Sequence, residues 1–534
     1  MTSLTTTSPR PLTVLDALYR ISTGGRSRRT YGGEPIEHVA PDSYRRLEPT
    51  DLAGPEPLYM TDSVLLAIEA TVGAMRAEQG GMFGGRRNRG TVTDFHFDDS
   101  ARRTTSTYTP ATAMLNTLLR ENWNPAGIDF LGFVHSHPRG MWQPSSGDRI
   151  YAERILDAIP AMDRLLLPIA QTRPDTRQFA IHPFAARRAS RGVEIESVPL
   201  AILPESRATP ALSDAAFDRV HNAYDLAATA ATRLIVVGVG GAAAFVESMA
   251  RAGVGEFVLI DPDTVDLPNV ATQQVYRRDV GRPKVDAVAD RILDVNPHAR
   301  VIGIQSYLDE LDDDMVRRLT HRPLPHSTSI GPSTSILCGF TDNFWAQARV
   351  NRLALHLGVP MVAAQVYERG HGVEISFHVP GHSVACGRCV LGSRYRAHLD
   401  RAYSNTVTSH GTPLWATERL NELKAQVVLA IIHGIGTRTD PDHPATTRYT
   451  EVLRRIATHN LVQARLDPEA NLPAFGRAFA NADQDRIIAD DTLWLPQEPE
   501  NPATGYEPCG DCGGTGDLTA CVGAFDDTRL SPGE

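Results

Sequence analysis

Residues 234–263 constrain the fold of this chain more than any other stretch, because they read as a strand, a glycine turn, a helix and a second strand. The run 234–237 is apolar throughout, which is typical of a strand buried on both faces of a parallel sheet. Gly238, Gly240 and Gly241 follow, and glycines let the backbone turn tightly and come close to a bound group. This order predicts an α/β fold with a nucleotide pocket at the turn.

The elements after the turn support the same interpretation. A helix predicted over residues 242–252 would offer unpaired N–H groups and the positive end of its dipole to a phosphate. The apolar strand 256–260 leads into Asp261 and Asp263, at the edge where ligands of open α/β sheets bind. A glycine turn followed by an acid about twenty residues later also fits a dinucleotide site. The turn alone therefore leaves the ligand open.

Motifs further along the chain resemble the ThiF/E1 superfamily of activating enzymes, which adenylate the C-terminal glycine of a small ubiquitin-like β-grasp protein. The motifs are Gly238-x-Gly240-Gly241, Asp261-Pro-Asp263, Val265-Asp-Leu-Pro-Asn269, Gln273, Gly281-Arg-Pro-Lys284 and Thr341-Asp342-Asn343. The resemblance runs from about residue 233 to residue 434 and resumes at Cys509. It implies a Rossmann-like adenylation domain that uses ATP and Mg²⁺ and that pairs as a homodimer.

The resemblance also implies roles for individual residues. Asp261 and the three glycines would belong to the nucleotide site, Asp263 would bind the ribose, and Lys284 would bind the phosphates. Asp342 would hold Mg²⁺, while Asn269 and Gln273 would line the path of the triphosphate. One departure concerns the arginine that the family places just before the glutamine, because this chain has Thr272 there. That change removes a phosphate-binding cation, so Arg277, Arg278 or an arginine of a dimer partner would have to replace it.

A second motif, LGFVHSHPRGMWQPSSGD, covers residues 131–148. Side chains two positions apart on a strand share a face, so His135 and His137 point the same way. Asp148, at the start of a predicted helix, can add a carboxylate. Two imidazoles and one carboxylate leave a fourth tetrahedral zinc position open, which is the arrangement of a catalytic site.

This segment resembles the JAB/JAMM (MPN-type) zinc isopeptidases, whose motif is an upstream Glu, then HxHP, then SxxD. The resemblance implies that His135, His137 and Asp148 bind a catalytic zinc ion. It further implies that Glu78 is the general base and that Ser145 stabilises the tetrahedral oxyanion. A domain that binds zinc but no longer cleaves is the alternative.

Four of the six cysteines form two CxxC pairs, Cys386–Cys389 and Cys509–Cys512. Four thiolates make a closed structural zinc site, and members of the ThiF/E1 superfamily carry such a pair. Many of these enzymes pass the adenylate to a cysteine after the first CxxC, but this chain has none between Cys389 and Cys509. Ser409 or Thr408, next to His410, could form an oxyester instead; Cys521 could serve; or the enzyme could stop at the adenylate.

Composition limits the partners. The formal net charge is −10 without long runs of one sign, so a nucleic-acid or membrane surface is not predicted. No spanning helix or signal peptide is recognised, and the CxxC pairs suit a reducing compartment, so we expect a cytoplasmic protein. Among the 53 basic residues only Lys284 and Lys424 are lysines. A lysine kept where arginine is the default suggests a need for a compact ammonium group.

The sequence therefore predicts four regions: an N-terminal arm over 1–50, a JAB/JAMM metalloprotease domain over 51–200, a linker and leading helix over 201–232, and an adenylation domain with its zinc knuckle over 233–534. The predicted activity is processing of a ubiquitin-like protein and activation of its C-terminal glycine for an E2-like or other acceptor. Sulfur-carrier processing for thiocarboxylate formation, or a scaffold that binds the carrier without catalysis, are the alternatives.

Overall fold

The computed structural model describes residues 43–75, 78–104, 107–138, 140–173, 178–204, 215–325, 331–383, 385–392, 394–395, 412–436, 439–466, 491–495, 509 and 511–512, and the strand positions 30–31 and 34–35. The chain divides into two compact units. The first contains residues 1–41, 55–206 and 325–331, and the second contains residues 42–54, 207–324 and 332–534.

The first unit is built on a mixed sheet. Its centre is the strand Asp129–Ser136, which we call the histidine strand, and its antiparallel neighbour Gly80–Gly85, the glycine strand. The other strands of this sheet are Thr30–Tyr31, Glu34–Pro35, Asp94–Phe97, Leu165–Leu166, Ile169–Arg173, Gln178–His182, Phe184–Arg188 and Val193–Ser197. Smaller sheets contain Leu58–Thr61, Thr91–Val92 and Leu200–Leu203, and Arg102–Arg103 with Tyr108–Thr109.

Helices Asp62–Ala70, Thr112–Leu118 and Ser146–Ala158 complete this unit. Two apolar clusters hold it together, one around Leu65, Phe83 and Val134 and one around Met82 and Leu156. The glycine strand is buried at every position. Side chains would not fit at several of its glycines, since a Cβ on Gly80 would lie 2.5 Å from the Tyr108 ring. Glycine therefore allows neighbouring rings to pack directly on this backbone.

The second unit is an α/β sheet, and the predicted α/β fold is confirmed. Six parallel strands are followed by three antiparallel ones. From one edge to the other they are Tyr44–Leu47, Arg300–Ile304, Glu256–Ile260, Thr232–Val237, Thr334–Gly339, Met361–Val366, Gly372–His378, Leu461–Arg465 and Asp491–Leu495. The central strand Thr232–Val237 is buried at every position, so its apolar side chains contribute on the order of 1.5–3 kcal/mol each.

Helices cover both faces of this sheet. They are Pro49–Leu52, Leu226–Ala230, Ala243–Arg251, Asn269–Thr272, Lys284–Val295, Asp313–His321, Phe344–Leu357, Gly387–Val390, Leu414–Ile435 and Pro444–Ile456. The helix Leu414–Ile435, which we call the crossing helix, packs on Ala243–Arg251. Among the described helices, none combines the length and the apolar composition that crossing a membrane requires.

Two segments differ from the sequence-based expectation. The linker predicted over 201–232 begins inside the strand Leu200–Leu203, which pairs in parallel with Leu58–Thr61. The arm predicted over 1–50 contains Tyr44–Leu47, which pairs in parallel with Arg300–Ile304 of the second unit. Both segments are stabilised by distant strand pairing, which local composition does not reveal.

A buried ion cluster in the first unit gives a stability test. Glu56 lies 3.0 Å from Arg164 and 3.1 Å from Arg187, and its side chain is fully buried. Glu56→Ala removes the carboxylate that faces the buried guanidinium group of Arg164, so we expect a loss of about 3–5 kcal/mol in unfolding free energy. Denaturant unfolding measures it. The control Glu196→Ala removes a half-exposed carboxylate 3.8 Å from Arg187 and should cost under about 1 kcal/mol. Equal losses would contradict this account.

Candidate functional site

The glycine turn, residues 238–241, lies at the carboxyl edge of the central strand and before the helix Ala243–Arg251. Gly238 has φ +85°, and a Cβ there would lie 2.8 Å from the Phe340 carbonyl oxygen. A Cβ on Gly240 would lie 2.5 Å from Oε1 of Gln273. The first two glycines are thus required by conformation and by close approach, whereas Gly241 faces open space apart from Thr417 at 3.6 Å.

Asp261 stabilises the glycine turn through hydrogen bonds to the backbone. Its carboxylate accepts hydrogen bonds from the N–H of Val239 at 2.8 Å and the N–H of Asp263 at 3.0 Å. Burial raises the pKa of Asp261, and the charge of Lys284 and these N–H groups oppose that rise. Both carboxylate oxygens therefore have backbone partners. This geometry favours a role in shaping the turn over direct contact with a ligand.

Lys284 and Asp263 meet at the same sheet edge. The Lys284 ammonium lies 2.7 Å from Asp263 Oδ2, and the Lys284 N–H donates to the Asp263 carbonyl at 2.9 Å. The lysine side chain is buried, whereas the Asp263 side chain is 58% exposed. Lys284 is the first residue of the helix Lys284–Val295. The pair thus places one fixed positive charge beside an open carboxylate near the glycine turn.

The other residues predicted to bind the nucleotide differ in burial and in hydrogen bonding. Gln273 Oε1 is buried without a hydrogen-bond partner among the described residues and lies against Gly240. Asn269 accepts from the Asp266 N–H at 2.9 Å, so its carbonyl oxygen stabilises its own turn. Asp342 is exposed just beyond the strand Thr334–Gly339. Its neighbour Asn343 caps the helix Phe344–Leu357.

Three arginines follow Thr272 in the chain or approach the same segment: Arg277, Arg278 and Arg291. Arg277 and Arg278 are both exposed, and Arg278 lies over the Tyr276 ring at 4.8 Å. Arg291 approaches the same segment, but its guanidinium donates to Gln274 Oε1 at 2.8 Å and to Glu247 at 3.0 Å. Lys284, by contrast, is held at the sheet edge by its ion pair with Asp263.

The crossing helix adds two residues that the site prediction missed. Asn421 donates from Nδ2 to the Gly241 carbonyl at 3.0 Å, and Lys424 donates to Asn421 Oδ1 at 3.0 Å. Lys424 is 2% exposed and its ammonium lies 4.2 Å from the centre of the Phe340 ring. The signal for Lys424 was present in the sequence, since it is one of two lysines, but nothing local connects it to the glycine turn.

In the first unit, His135, His137 and Asp148 come together as predicted. The two Nε2 atoms are 2.8 Å apart, and Asp148 lies 3.1 Å from His135 and 3.4 Å from His137. One ligand atom from each residue lies within 4.8 Å of the others. His137 Nδ1 faces the Met141 carbonyl at 3.1 Å, which directs Nε2 toward the cluster. The donor set and spacing fit a zinc ion with an open position.

Ser145 and Glu78 flank this cluster. Ser145 is the N-cap of the helix Ser146–Ala158: its hydroxyl accepts from the Asp148 N–H at 3.2 Å and donates to Asp148 Oδ2 at 2.8 Å. Ser145 therefore positions the aspartate in this structure. Glu78 is 7% exposed, and burial raises its pKa against the lowering effect of His135 and His137. A carboxyl group with a raised pKa suits proton transfer near neutral pH.

Tyr108 and Asp98 were not singled out from the sequence. The Tyr108 ring stacks on His135 with centroids 6.1 Å apart, and its hydroxyl donates to Asp98 at 3.0 Å. Asp98 is 1% exposed and also accepts from the Ala111 N–H at 2.9 Å. These contacts fix the ring that covers His135. The sequence places Tyr108 in a polar stretch, which gave no signal for this role.

The four cysteines of the CxxC pairs form one cluster. Sulfur distances are 3.8 Å for Cys386–Cys389, 3.7 Å for Cys386–Cys509 and 3.3 Å for Cys389–Cys512. Four thiolates about 2.3 Å from a tetrahedral zinc ion stand about 3.8 Å apart. The residues present therefore fit a structural zinc ion. The carboxylate of buried Asp511 accepts hydrogen bonds from Nδ2 of Asn351 at 2.9 Å and from Arg388 at 2.8 Å, which ties the second knuckle to the helix Phe344–Leu357 and to the first knuckle.

The predicted transfer residues Ser409 and Thr408, with His410, lie outside the described residues, and so does Cys521. The structure therefore leaves these predictions untested.

Comparison with known proteins bears on the second unit. Residues 213–463 match the model of the ThiF family. The tRNA threonylcarbamoyladenosine dehydratase of Bacillus subtilis is 44% identical over 77 residues, which is 14% of this chain and 30% of that protein. The molybdopterin-synthase adenylyltransferase of Escherichia coli is 36% identical over 161 residues, 30% of this chain and 58% of that protein.

Among solved structures, the complex of E. coli MccB with ATP is similar with a TM-score of 0.36 and 16% identity, covering 54% of this chain and 74% of that one. The chain spans between about a third and three fifths of the length of these two curated relatives. The match to the family model includes the glycine turn, Lys284 and the crossing helix. Residues 213–463 are therefore similar to the ThiF family.

Proposed function

We propose that the second unit adenylates the C-terminal carboxylate of a ubiquitin-like or sulfur-carrier protein with ATP. The observation that carries this proposal is the joint placement of the glycine turn, Lys284 and Asp263 at one sheet edge, within the residues that match the ThiF family. Adenylation forms a bond between a carboxylate oxygen and the α-phosphorus and releases pyrophosphate. Negative charge grows on the departing pyrophosphate, so fixed positive groups stabilise the transition state.

The second unit would have three sources of positive charge for the phosphates: a helix N-terminus, a lysine and a bound Mg²⁺. The first N–H groups of the helix Ala243–Arg251 lack intrahelical partners and point to the turn. Lys284 adds a compact positive charge, and Asp263 keeps that ammonium in place while its own exposed side chain remains accessible to a ribose hydroxyl. Exposed Asp342 would hold Mg²⁺, whose charge offsets that of the phosphates. Asn269 and Gln273 would border the triphosphate.

We also propose two protein partners for this activity, a second copy of the chain and an acceptor for the activated carrier protein. A homodimer would supply a further arginine for the position that Thr272 leaves neutral. An E2-like or other acceptor would take the activated glycine, directly from the adenylate or through an oxyester on Ser409 or Thr408. Thiocarboxylate formation on a sulfur carrier remains the second outcome of the same activation step, because both begin with the acyl adenylate.

Carrier-dependent ATP–pyrophosphate exchange tests the adenylation. Wild type should exchange label only when a carrier with a free C-terminal glycine is added. Lys284→Met removes the buried charge, and we expect the exchange rate to fall about a hundredfold. Arg251→Ala, at the exposed end of the helix after the glycine turn, should stay within about twofold of wild type. Exchange that survives Lys284→Met unchanged would remove the assigned role of this lysine, and no exchange in wild type would favour a scaffold.

We propose a second activity for the first unit: zinc-dependent cleavage after the C-terminal glycine of the carrier. The observation that favours it is the cluster of His135, His137 and Asp148 with buried Glu78 beside it. A zinc ion held there would acidify a water molecule and polarise the scissile carbonyl. Glu78 would accept and return the proton. Ser145, which caps the helix that carries Asp148, would hold this ligand in place and could donate to an oxyanion.

Metal content tests both sites together. Purified wild type should contain about two zinc ions per chain by elemental analysis, and His135→Ala and Cys389→Ser should each lower the content to about one. His96→Ala is the control, because His96 lies on the strand Asp94–Phe97 outside both clusters, and it should keep both ions. A wild-type content of one that survives His135→Ala would leave the cysteine site alone and would overturn the peptidase proposal.

Glu78→Gln separates zinc binding from cleavage. The amide keeps the size of the side chain but cannot take a proton, so we expect full zinc content and a loss of about 10²–10⁴-fold in cleavage of a carrier fusion. The measurement is the rate at which a carrier with a C-terminal extension is trimmed. Normal cleavage by this variant would show that another group is the base.

A further inference from the structure

The inference below rests on the proposed adenylation and concerns the two buried residues of the crossing helix, Asn421 and Lys424. We propose that Lys424 and Asn421 are positioning residues for the phosphate-binding turn: the lysine ammonium orients the asparagine amide, which in turn holds the Gly241–Ala242 peptide with its N–H directed to the nucleotide.

The first step is the hydrogen bond to the turn. Asn421 Nδ2 donates to the carbonyl oxygen of Gly241 at 3.0 Å. A trans peptide directs its C=O and N–H in opposite directions, so a carbonyl held against the crossing helix turns the Ala242 N–H away from that helix. Ala242 is the N-cap of the helix Ala243–Arg251, where backbone N–H groups have no partner within the helix and receive anions.

The second step is the choice of amide orientation. An asparagine side chain can present either its NH₂ or its oxygen to a neighbour. In its protonated state Lys424 can only donate, and its Nζ lies 3.0 Å from Asn421 Oδ1. The oxygen must therefore face the lysine, which leaves the NH₂ for the Gly241 carbonyl. Without a donor at position 424, the amide could reverse and set its oxygen against that carbonyl.

Burying the Lys424 ammonium costs free energy, because few groups around it compensate its charge. Lys424 is 2% exposed, and Asn421 Oδ1 is the one hydrogen-bond acceptor for its Nζ within the part of the chain that the structure describes. The face of the Phe340 ring, 4.2 Å away, offers only a weaker cation–π contact. No carboxylate among the described residues pairs with this ammonium. Burial lowers the pKa of Lys424 to about 7, and the titratable group that faces it is Cys338.

Such an amine destabilises the folded chain. Between its folded pKa of about 7 and the ordinary lysine value of 10.5, the unfolded state holds a proton that the folded state has released. Stability from this group therefore rises as the pH rises through that window, and the full penalty applies at and below about pH 7. A purely structural residue at position 424 would be better as a methionine, whose shape is similar and which has no charge to bury.

Lys424→Met thus separates positioning from packing. We expect its unfolding midpoint at pH 7 to rise by several degrees, with a smaller rise near pH 10, while its affinity for ATP–Mg falls about tenfold. Lys424→Gln keeps a donor for Asn421 and should restore most of the affinity. Asn421→Asp places a carboxylate oxygen against the Gly241 carbonyl, so it should weaken ATP binding even though it gives Lys424 a counter-charge.

The experiment is titration calorimetry with ATP–Mg on the full chain without carrier, together with thermal unfolding of each variant. Gln426→Ala, on the exposed face of the same helix, should match wild type in both. A Lys424→Met chain that loses stability and affinity together would assign this lysine to packing, and one that binds ATP as wild type does would overturn the positioning role while leaving adenylation intact. Wild type that binds no ATP would overturn both.

Discussion

The carboxylate of Asp261 is the contact on which the second unit's site depends. Asp261 joins the N–H of Val239 in the glycine turn to the N–H of Asp263 after the neighbouring strand. One buried acid thus holds together the end of the central strand, the start of the helix and the segment that leads to Lys284. A charge at 5% exposure is costly unless it is hydrogen-bonded. The two backbone donors meet that requirement, and in doing so they fix the turn before any ligand binds.

The sequence predicted those parts of the fold that are encoded locally. The strand, turn and helix in residues 234–263 follow from apolar runs bounded by glycine. The approach of His135 to Asp148 followed from a motif with a known spacing rule. Pairings between distant segments escaped, as Tyr44–Leu47 at the edge of the second sheet shows. A short polar strand is specified by its neighbour, and composition does not carry that information.

The predicted site residues show the same difference between features encoded locally and features set by distant contacts. Residues whose chemistry depends on type and spacing, such as the cysteine pairs, were found. Roles that depend on a neighbour in space were not: Ser145 caps a helix and holds Asp148, and Asp98 fixes the Tyr108 ring over His135. Asn421 contacts Gly241 across 180 positions of sequence. A serine, an aspartate or an asparagine is common enough that only the fold distinguishes a support from a surface residue.

Buried cations in the second unit show why this chain keeps lysine at two positions. Arg233 is fully buried, but its guanidinium donates to Glu256 and to the carbonyls of Leu319 and Arg322, so every face of the fork meets an acceptor. An arginine cannot shed its proton to lower the cost of burial. Lys424 has a single acceptor, which suits an amine that can become neutral. Lys284 instead contacts one carboxylate oxygen of Asp263 and leaves the other accessible. An arginine guanidinium at this position could bind both oxygens at once. Of these three buried cations, the arginine lies where several acceptors converge, and each lysine lies where the fold offers one.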